Sequence, residues 1–226
     1  MLILNVLKPS VNSMAVRVFL RAAALEFTEN DVYGHTRDAD FLVKCPAHLT
    51  PMLEDADLPR GGLWESCAIM QYLANKHGLT TLYPDAPAAR AMVDSALFYS
   101  TATIYPLIAR AAYPALGFPL YPGEVGASDA SDAAKAAARQ AAQGAIAEPL
   151  EAYRSFFLGN GSGGAAPSIA DIRLSAMLEF LLAVDYPFPD WARSYMAVIE
   201  KKLGAAYTEP ASDVRGYIQY VKSQGK

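Results

Sequence analysis

Phe41-Leu42-Val43-Lys44-Cys45-Pro46-Ala47-His48-Leu49-Thr50-Pro51-Met52-Leu53, taken up again after residues 54–62 by Leu63-Trp64-Glu65-Ser66-Cys67-Ala68-Ile69, is the stretch on which the reading of this chain turns. Thr50-Pro51-Met52-Leu53 has the look of a strand, yet proline cannot donate to a sheet ladder. Pro51 therefore sits where exposed backbone is wanted, and X-Pro is the bond at which a cis peptide is affordable. Glu65-Ser66 then opens an apolar-periodic helix, and a helix start attracts anions. An exposed backbone edge beside such a start suits a small peptide that carries carboxylates.

Outward from that stretch, strand-like and helix-like segments alternate over the first roughly 80 residues. Leu2 to Leu7 is a short apolar run, broken by Lys8-Pro9-Ser10. Val16, Phe19, Leu20, Ala23 and Ala24 recur at i, i+3, i+4, i+7 and i+8, one face of a helix. Phe27 to Val32 reads as a second strand, and Phe41-Leu42 begins a short helix that stops at Cys45-Pro46. Met52-Leu53 and Leu63-Trp64 read as a hairpin with Asp55 to Gly62 as its turn. Ile69, Tyr72 and Leu73 give the inner face of a helix ending near Gly78. The order β-α-β-(α)-β-β-α is that of a small α/β layer domain.

Pro84-Asp85-Ala86-Pro87 marks a change of character and reads as a linker, after which helical patterns dominate. Val93, Leu97, Ile104 and Ile108 keep one face of a long helix apolar, with Phe98, Thr101 and Tyr105 on a neighbouring face. Ser128 to Glu148 is alanine-rich and predicts a helix. Gly159 to Gly164 reads as a flexible loop; it lacks the Lys-Ser/Thr of a phosphate cradle. Ser168-Ile169-Ala170-Asp171 is a capping-box pattern, so Asp171 is expected to hold a helix start and to take no part in chemistry.

Bulk properties narrow the function classes. The 226 residues carry a net charge of −4 with no basic run, which argues against nucleic acid as a partner. No window approaches 18 consecutive apolar residues, so no membrane span is expected. Met1-Leu2-Ile3-Leu4 lacks a positively charged leader and reads as a first strand. Two cysteines, Cys45 and Cys67, make neither a disulfide framework nor a metal set, and both are expected to be structural. A reducing, cytoplasmic compartment is the default for such a chain.

Taken in order, these motifs resemble the glutathione transferase superfamily. The stretch from Phe41 to Leu53 is similar to that family's FLxxNPxHxVPxL pattern, and Leu63 to Leu73 to its LWESxAIxxYL pattern. Leu82-Tyr83-Pro84 with Arg90 resembles its linker and next helix, and Ser168-Ile169-Ala170-Asp171-Ile172 its capping box. The resemblance implies a thioredoxin-like α/β N-terminal domain at residues 1–80 and an all-α helical domain at 87–226. It is that of a cytosolic, serine-type, delta- or theta-like bacterial member. It further implies glutathione as co-substrate without a metal, a homodimer, and detoxification-type conjugation to a small apolar electrophile.

The same resemblance assigns roles to residues. Free glutathione's thiol, near pKa 8.5, is mostly protonated at neutral pH, and only the thiolate is a good nucleophile. A hydroxyl donated to the sulfur at a helix start favours the charged form. Ser10 stands where serine-type members carry that hydroxyl. Asn12 competes, since Ser-Val-Asn resembles the Thr-Pro-Asn of members that reduce disulfides, and Ser13 reads as a helix cap. Glu65 and Ser66 would take the γ-glutamyl end, Thr50 before Pro51 the cysteinyl backbone, and His48 the glycyl end. Tyr105, with Phe98, Thr101 and Tyr113, would line the acceptor pocket. Cys67 departs from the arginine of many delta-type relatives.

Three activities stay open at this level. The leading one is conjugation of glutathione with Ser10 activating the thiol. Glutathione-dependent reduction of disulfides or peroxides through Asn12 is the second; a maleylacetoacetate-isomerase-like reaction fits less well, because that group has Ser-Ser-Cys here. The third is a domain kept for binding or scaffolding, as in a subunit of translation elongation factor one, against which the intact Pro51, Glu65 and Ser66 argue.

Overall fold

A computed structural model describes residues 1–118, 131–158 and 166–224. Four short strands, β1 (Leu2–Val6), β2 (Phe27–Asp31), β3 (Met52–Glu54) and β4 (Gly62–Trp64), form a sheet in the order β2-β1-β3-β4. β1 runs parallel to β2, with Leu2 opposite Phe27, and antiparallel to β3, with Asn5 opposite Met52. β3 and β4 make the expected hairpin, Met52 facing Trp64 and Gly62 already within β4. Leu4 and Val6 of the central strand are fully buried. Asn5, buried on the opposite face, is satisfied by Glu54 at 3.0 Å and Asn30 at 2.8 Å.

Helices follow in the order α1 (Val11–Ala22), α2 (Ala39–Lys44), α3 (Ser66–Lys76), α4 (Pro87–Tyr99), α5 (Tyr105–Ala112) and α6 (Asp132–Ala145). They continue with α7 (Ala147–Tyr153), α8 (Ile169–Leu178), α9 (Asp190–Leu203) and α10 (Ala205–Ser223). No strand is found beyond Trp64 among the described residues. The architecture is therefore a thioredoxin-like α/β sheet domain followed by a helical part.

α1 is buried on almost every side from Val11 to Leu20 because it lies between the sheet domain and helices α8 and α10. One cluster of buried side chains runs from Leu4 and Phe19 through Leu97 and Ile108 to Phe180 and Ile218, so both parts share a core. Arg17, only 4% exposed, ties them further: its guanidinium meets Glu29 of β2 at 2.8 Å and Asp213 of α10 at 2.7 Å.

Prolines explain where helices depart from the simple patterns. The apolar face read from Val93 to Ile108 is interrupted by a π-helical turn at Ser100–Ile104. Pro106 lacks the N–H that Ala102 would accept, and the register slips upstream of it. The alanine-rich stretch, read as one helix, divides at Ile146; Pro149 clashes with the carbonyl four residues back, that of Ala145, where α6 ends. Ser128 and its two successors, and the Gly159–Gly164 run, lie outside the described residues. α1 stops at Ala22, short of the Ala23-Ala24 read from the spacing, since Ala24 turns to φ 52°.

Candidate active site

β1 delivers the chain to the head of α1, and the turn between them is held by three local bonds. Ser10 N–H donates to Leu7 C=O at 2.9 Å, Leu7 N–H to Ser13 Oγ at 3.3 Å, and Ser13 N–H to Ser10 Oγ at 3.4 Å. Ser10 is thus the N-cap of α1 in extended conformation. This corrects the reading that made Ser13 the cap: Ser13 is fully buried and braces the strand end instead. Having accepted the Ser13 N–H, the Ser10 hydroxyl keeps its own proton for donation, and no acceptor takes it among the described residues.

A cavity of about 420 Å³ opens beside this cap. Its sheet-domain wall comes from Ser10, Asn12, His48 and Thr50, with Tyr33 at the side. Its helical wall is aromatic: Tyr113, Phe118, Phe180 and Tyr217. Phe118 stacks on Tyr217 at 5.7 Å and meets Tyr113 and Phe180 edge-on at 5.5 and 5.9 Å. Burial, reinforced by Tyr33 and Tyr220, pushes the Tyr217 phenol up, so it stays a donor, to Leu116 C=O at 2.9 Å. A cavity of this size with an apolar wall and a polar rim has the form of a small-molecule site.

Thr50 and Pro51 are joined by a cis peptide bond. Thr50 lines the cavity, whereas Glu65 and Ser66 are not among its lining residues and stand at the head of α3, just past the last hairpin pair Met52–Trp64. Glu65 holds φ 77°, a left-handed conformation that a glutamate adopts at a cost, with its side chain exposed at the head of α3. Ser66, the first residue of that helix, is 6% exposed. His48 shares the left-handed geometry at φ 47°, fixed by its N–H to Cys45 C=O. The head of α3 is a favourable place for a carboxylate, and His48 stands beside Thr50 in the cavity wall.

Asn12 does not open freely into the cavity. Its Nδ2 donates to the Tyr105 hydroxyl at 2.8 Å, and Tyr105 pairs with the Tyr113 hydroxyl at 2.7 Å. This hydroxyl chain crosses from α1 to α5, and its two ends, Asn12 and Tyr113, line the cavity.

The expected acceptor residues separate on inspection. Tyr113 lines the cavity, and Tyr105, 7% exposed, stands behind the wall within the hydroxyl chain. Thr101 meets the Cys67 sulfur across the two domains at 3.4 Å instead of the cavity. Phe98 is 65% exposed: Leu97 takes the inward position on α4, which turns its neighbour about 100° outward. Sequence reading missed Tyr33, Phe118, Phe180 and Tyr217. Tyr217 follows the Val214–Ile218–Val221 stripe of α10, so nothing in its spacing separates a cavity wall from core. Cys45 is buried and structural, its sulfur accepting from Leu49 N–H. Among the described residues no cluster of His, Cys, Asp or Glu is suited to a metal, and no helix is long and apolar enough to cross a membrane.

Comparison with known proteins agrees with this geometry. Residues 5–75 match the family model described as the glutathione S-transferase N-terminal domain. Over 74 residues the chain is 40% identical to glutathione S-transferase GstB of Escherichia coli K12, a match covering 32% of this chain and 34% of that protein. The match thus spans about a third of the length of that relative. Over nearly its full length the chain superposes on a delta-class glutathione transferase of Nilaparvata lugens, with TM-score 0.73, 23% identity, and coverage of 98% and 100%. A Bombyx mori glutathione transferase gives 0.71 with 25% identity and coverage of 98% and 96%. Human glutathione transferase theta-2, solved with glutathione and an unknown ligand, gives 0.76 with 22% identity and coverage of 99% and 91%. Residues 5–75 are thus similar to the glutathione S-transferase N-terminal domain, and nearly the whole chain shares the fold of these solved transferases.

Proposed function

We propose that the protein is a glutathione transferase that binds glutathione, stabilises its thiolate and conjugates it to an apolar electrophile. Residues 1–80 hold the peptide in this reading, and residues 87–226 supply the acceptor wall. The observation that carries it is Ser10: its oxygen is fixed by the Ser13 N–H at the cavity edge, which leaves its proton for the incoming sulfur. A donor at the positive end of α1 favours the thiolate over the thiol, and each pKa unit of lowering is worth about 1.4 kcal/mol.

The γ-glutamyl end is assigned to Glu65 and Ser66, the cysteinyl backbone to Thr50 beside Pro51, and the glycyl carboxylate to His48. The aromatic wall of Phe118, Phe180 and Tyr217 supports an apolar, planar acceptor. Asn12 is assigned to holding Tyr105, since its amide nitrogen is already engaged there. A two-fold dimer in the cytoplasm belongs to the same reading.

Two assays run in parallel test it: conjugation of glutathione to 1-chloro-2,4-dinitrobenzene and glutathione-dependent reduction of hydroxyethyl disulfide. Ser10→Ala is expected to lower conjugation by tenfold or more with glutathione affinity nearly kept. Disulfide reduction that survives Ser10→Ala and collapses in Asn12→Ala would overturn the proposal. Absence of any stabilisation by glutathione in a thermal melt would do so as well.

A further inference from the structure

Arg173, in the second turn of α8, is 2% exposed. Its guanidinium lies over the Tyr105 ring, 4.8 Å from the centroid. Nε and Nη1 have no hydrogen-bond partner, and no carboxylate pairs with the group among the described residues. The chain treats its other inward arginines differently. Arg17 is met by Glu29 and Asp213 at 2.8 and 2.7 Å, and Arg215 by Glu179 and Glu200 at 2.7 and 2.9 Å. A buried cation without an anion is expensive, and the face of a tyrosine ring offsets only part of the cost.

What the hydroxyl of that ring is bonded to gives the exception a use. The Tyr105 hydroxyl is joined to Asn12 at 2.8 Å and to Tyr113 at 2.7 Å, and both of those residues line the cavity. The cation therefore lies against the middle member of a polar chain whose two ends line the cavity. No counter-charge stands beside it among the described residues.

We propose that Arg173 is a positioning residue of the conjugation site, acting through Tyr105: its charge polarises the Asn12–Tyr105–Tyr113 chain toward the anionic adduct that forms as the thiolate adds to the acceptor. The proposal rests on the transferase reading. In that step the thiol proton has already left to solvent, and the sulfur lone pair forms the new S–C bond. In a nitroaryl acceptor the displaced ring π-electrons move onto the nitro groups, giving an anionic σ-adduct. Loss of halide with its bonding pair restores the aromatic ring and completes the transfer. Arg173 favours the middle of this sequence, where negative charge lies over the acceptor.

The test uses 1,3,5-trinitrobenzene, which accepts the thiolate but has no halide to lose, so the coloured σ-adduct accumulates and is read by its visible absorbance. Beside it, kcat and KM for glutathione are measured with 1-chloro-2,4-dinitrobenzene, and every variant is melted. Arg173→Met is expected to lower both adduct formation and kcat by about tenfold, the scale of one unit charge acting across protein of effective dielectric about 20. KM for glutathione changes less than about twofold, and Arg173→Lys recovers most of the loss. In a Tyr105→Phe background Arg173→Met adds nothing further, because the path through the hydroxyl is gone. Arg173→Gln decides the matter if the methionine variant does not fold. Wild-type adduct and kcat in Arg173→Met overturn the proposal, and so do losses that add to those of Tyr105→Phe or merely follow the melting temperature. A wild type that forms neither adduct nor conjugate overturns the transferase reading itself; one that forms both, indifferent to Arg173, overturns this inference alone.

Discussion

Removing the Asp171 carboxylate tests whether a helix cap at the centre of the molecule acts as more than a local signal. Asp171 accepts from Ser168 N–H at 2.8 Å and Ser168 Oγ at 2.7 Å, while Ser168 Oγ accepts from Asp171 N–H, a complete capping box at the head of α8. Its second oxygen accepts from the Tyr195 hydroxyl of α9 at 2.8 Å. Tyr195 is fully buried, and burial first, with the Asp171 charge beside it, pushes its phenol well above the ordinary range, so it remains a donor at any usable pH. Asp171→Ala removes the cap, worth about 1 kcal/mol. It also leaves the buried tyrosine hydroxyl with only the longer bond to Asp171 C=O at 3.3 Å, at a cost of about 1–3 kcal/mol. The sum, about 2–4 kcal/mol, corresponds to a fall in Tm of about 5–15 °C for a chain of this size. Ser131, the N-cap of α6, supplies the control: its Oγ accepts from Ala134 N–H at 3.2 Å on an exposed surface, so Ser131→Ala should cost about 1 kcal/mol at most. Thermal and urea melts of both variants, with Tyr195→Phe and the Asp171→Ala/Tyr195→Phe double, check the reasoning. The double should cost less than the two singles combined, since no buried donor is left unpaired. Equal losses in Asp171→Ala and Ser131→Ala, or strict additivity with Tyr195→Phe, would refute it.

Two further outcomes follow from the same physics, besides those set for Ser10 and Arg173. Burial alone would push the Asp55 carboxyl up, but the Lys76 ammonium, Asp57 N–H and Tyr72 hydroxyl that hydrogen-bond to it outweigh this and hold it below its ordinary 3.8. A depressed carboxyl contributes stability above its unfolded pKa and loses it as pH falls through the folded value. The Tm gap between wild type and Asp55→Asn should therefore be steady from about pH 5 to 8 and close below about pH 4; an unchanged gap at pH 3 counts against the linkage. Gly204 joins α9 to α10 at φ 54° and ψ −132°, with open space where a Cβ would stand. Gly204→Ala should thus cost only backbone strain, about 1–3 kcal/mol. Gly216→Ala, within α10 and equally open, should gain up to about 1 kcal/mol. Melts in which both substitutions act alike would contradict the conformational account.

The fold was legible where a local rule decides it, and much less where distant parts of the chain must meet. Pro51 and Ser66 could be placed because a proline before a strand and a serine at a helix start each have one economical geometry, whereas the left-handed turn at Glu65 left no local sign. The hairpin register then sets Met52 opposite Trp64, the residues next to Pro51 and Glu65. Helix interruptions were legible in principle too: Pro106 and Pro149 are visible in the sequence, and each acts on the carbonyl four residues earlier. The cavity was not legible, because Asn12 is held by Tyr105 across 93 residues and the wall depends on Phe118 stacking with Tyr217. Neither pairing leaves a periodic trace in either segment.

Arg173 is the extreme case. In Ile172-Arg173-Leu174-Ser175 a lone arginine among apolar residues reads as the solvent side of a helix, since a charged side chain normally marks the outward face. α8 has no outward face: Ile169, Ile172, Leu174, Ala176, Met177 and Leu178 are all buried, as is the arginine itself. A pattern rule built on two-faced helices fails on a helix enclosed on all sides, and it fails at the residue whose burial is most costly. Buried charge without a partner persists in a marginally stable molecule only where something offsets it. Arg173 lies against a hydroxyl chain whose ends line the cavity, which makes that offset a property of the site and not of the core.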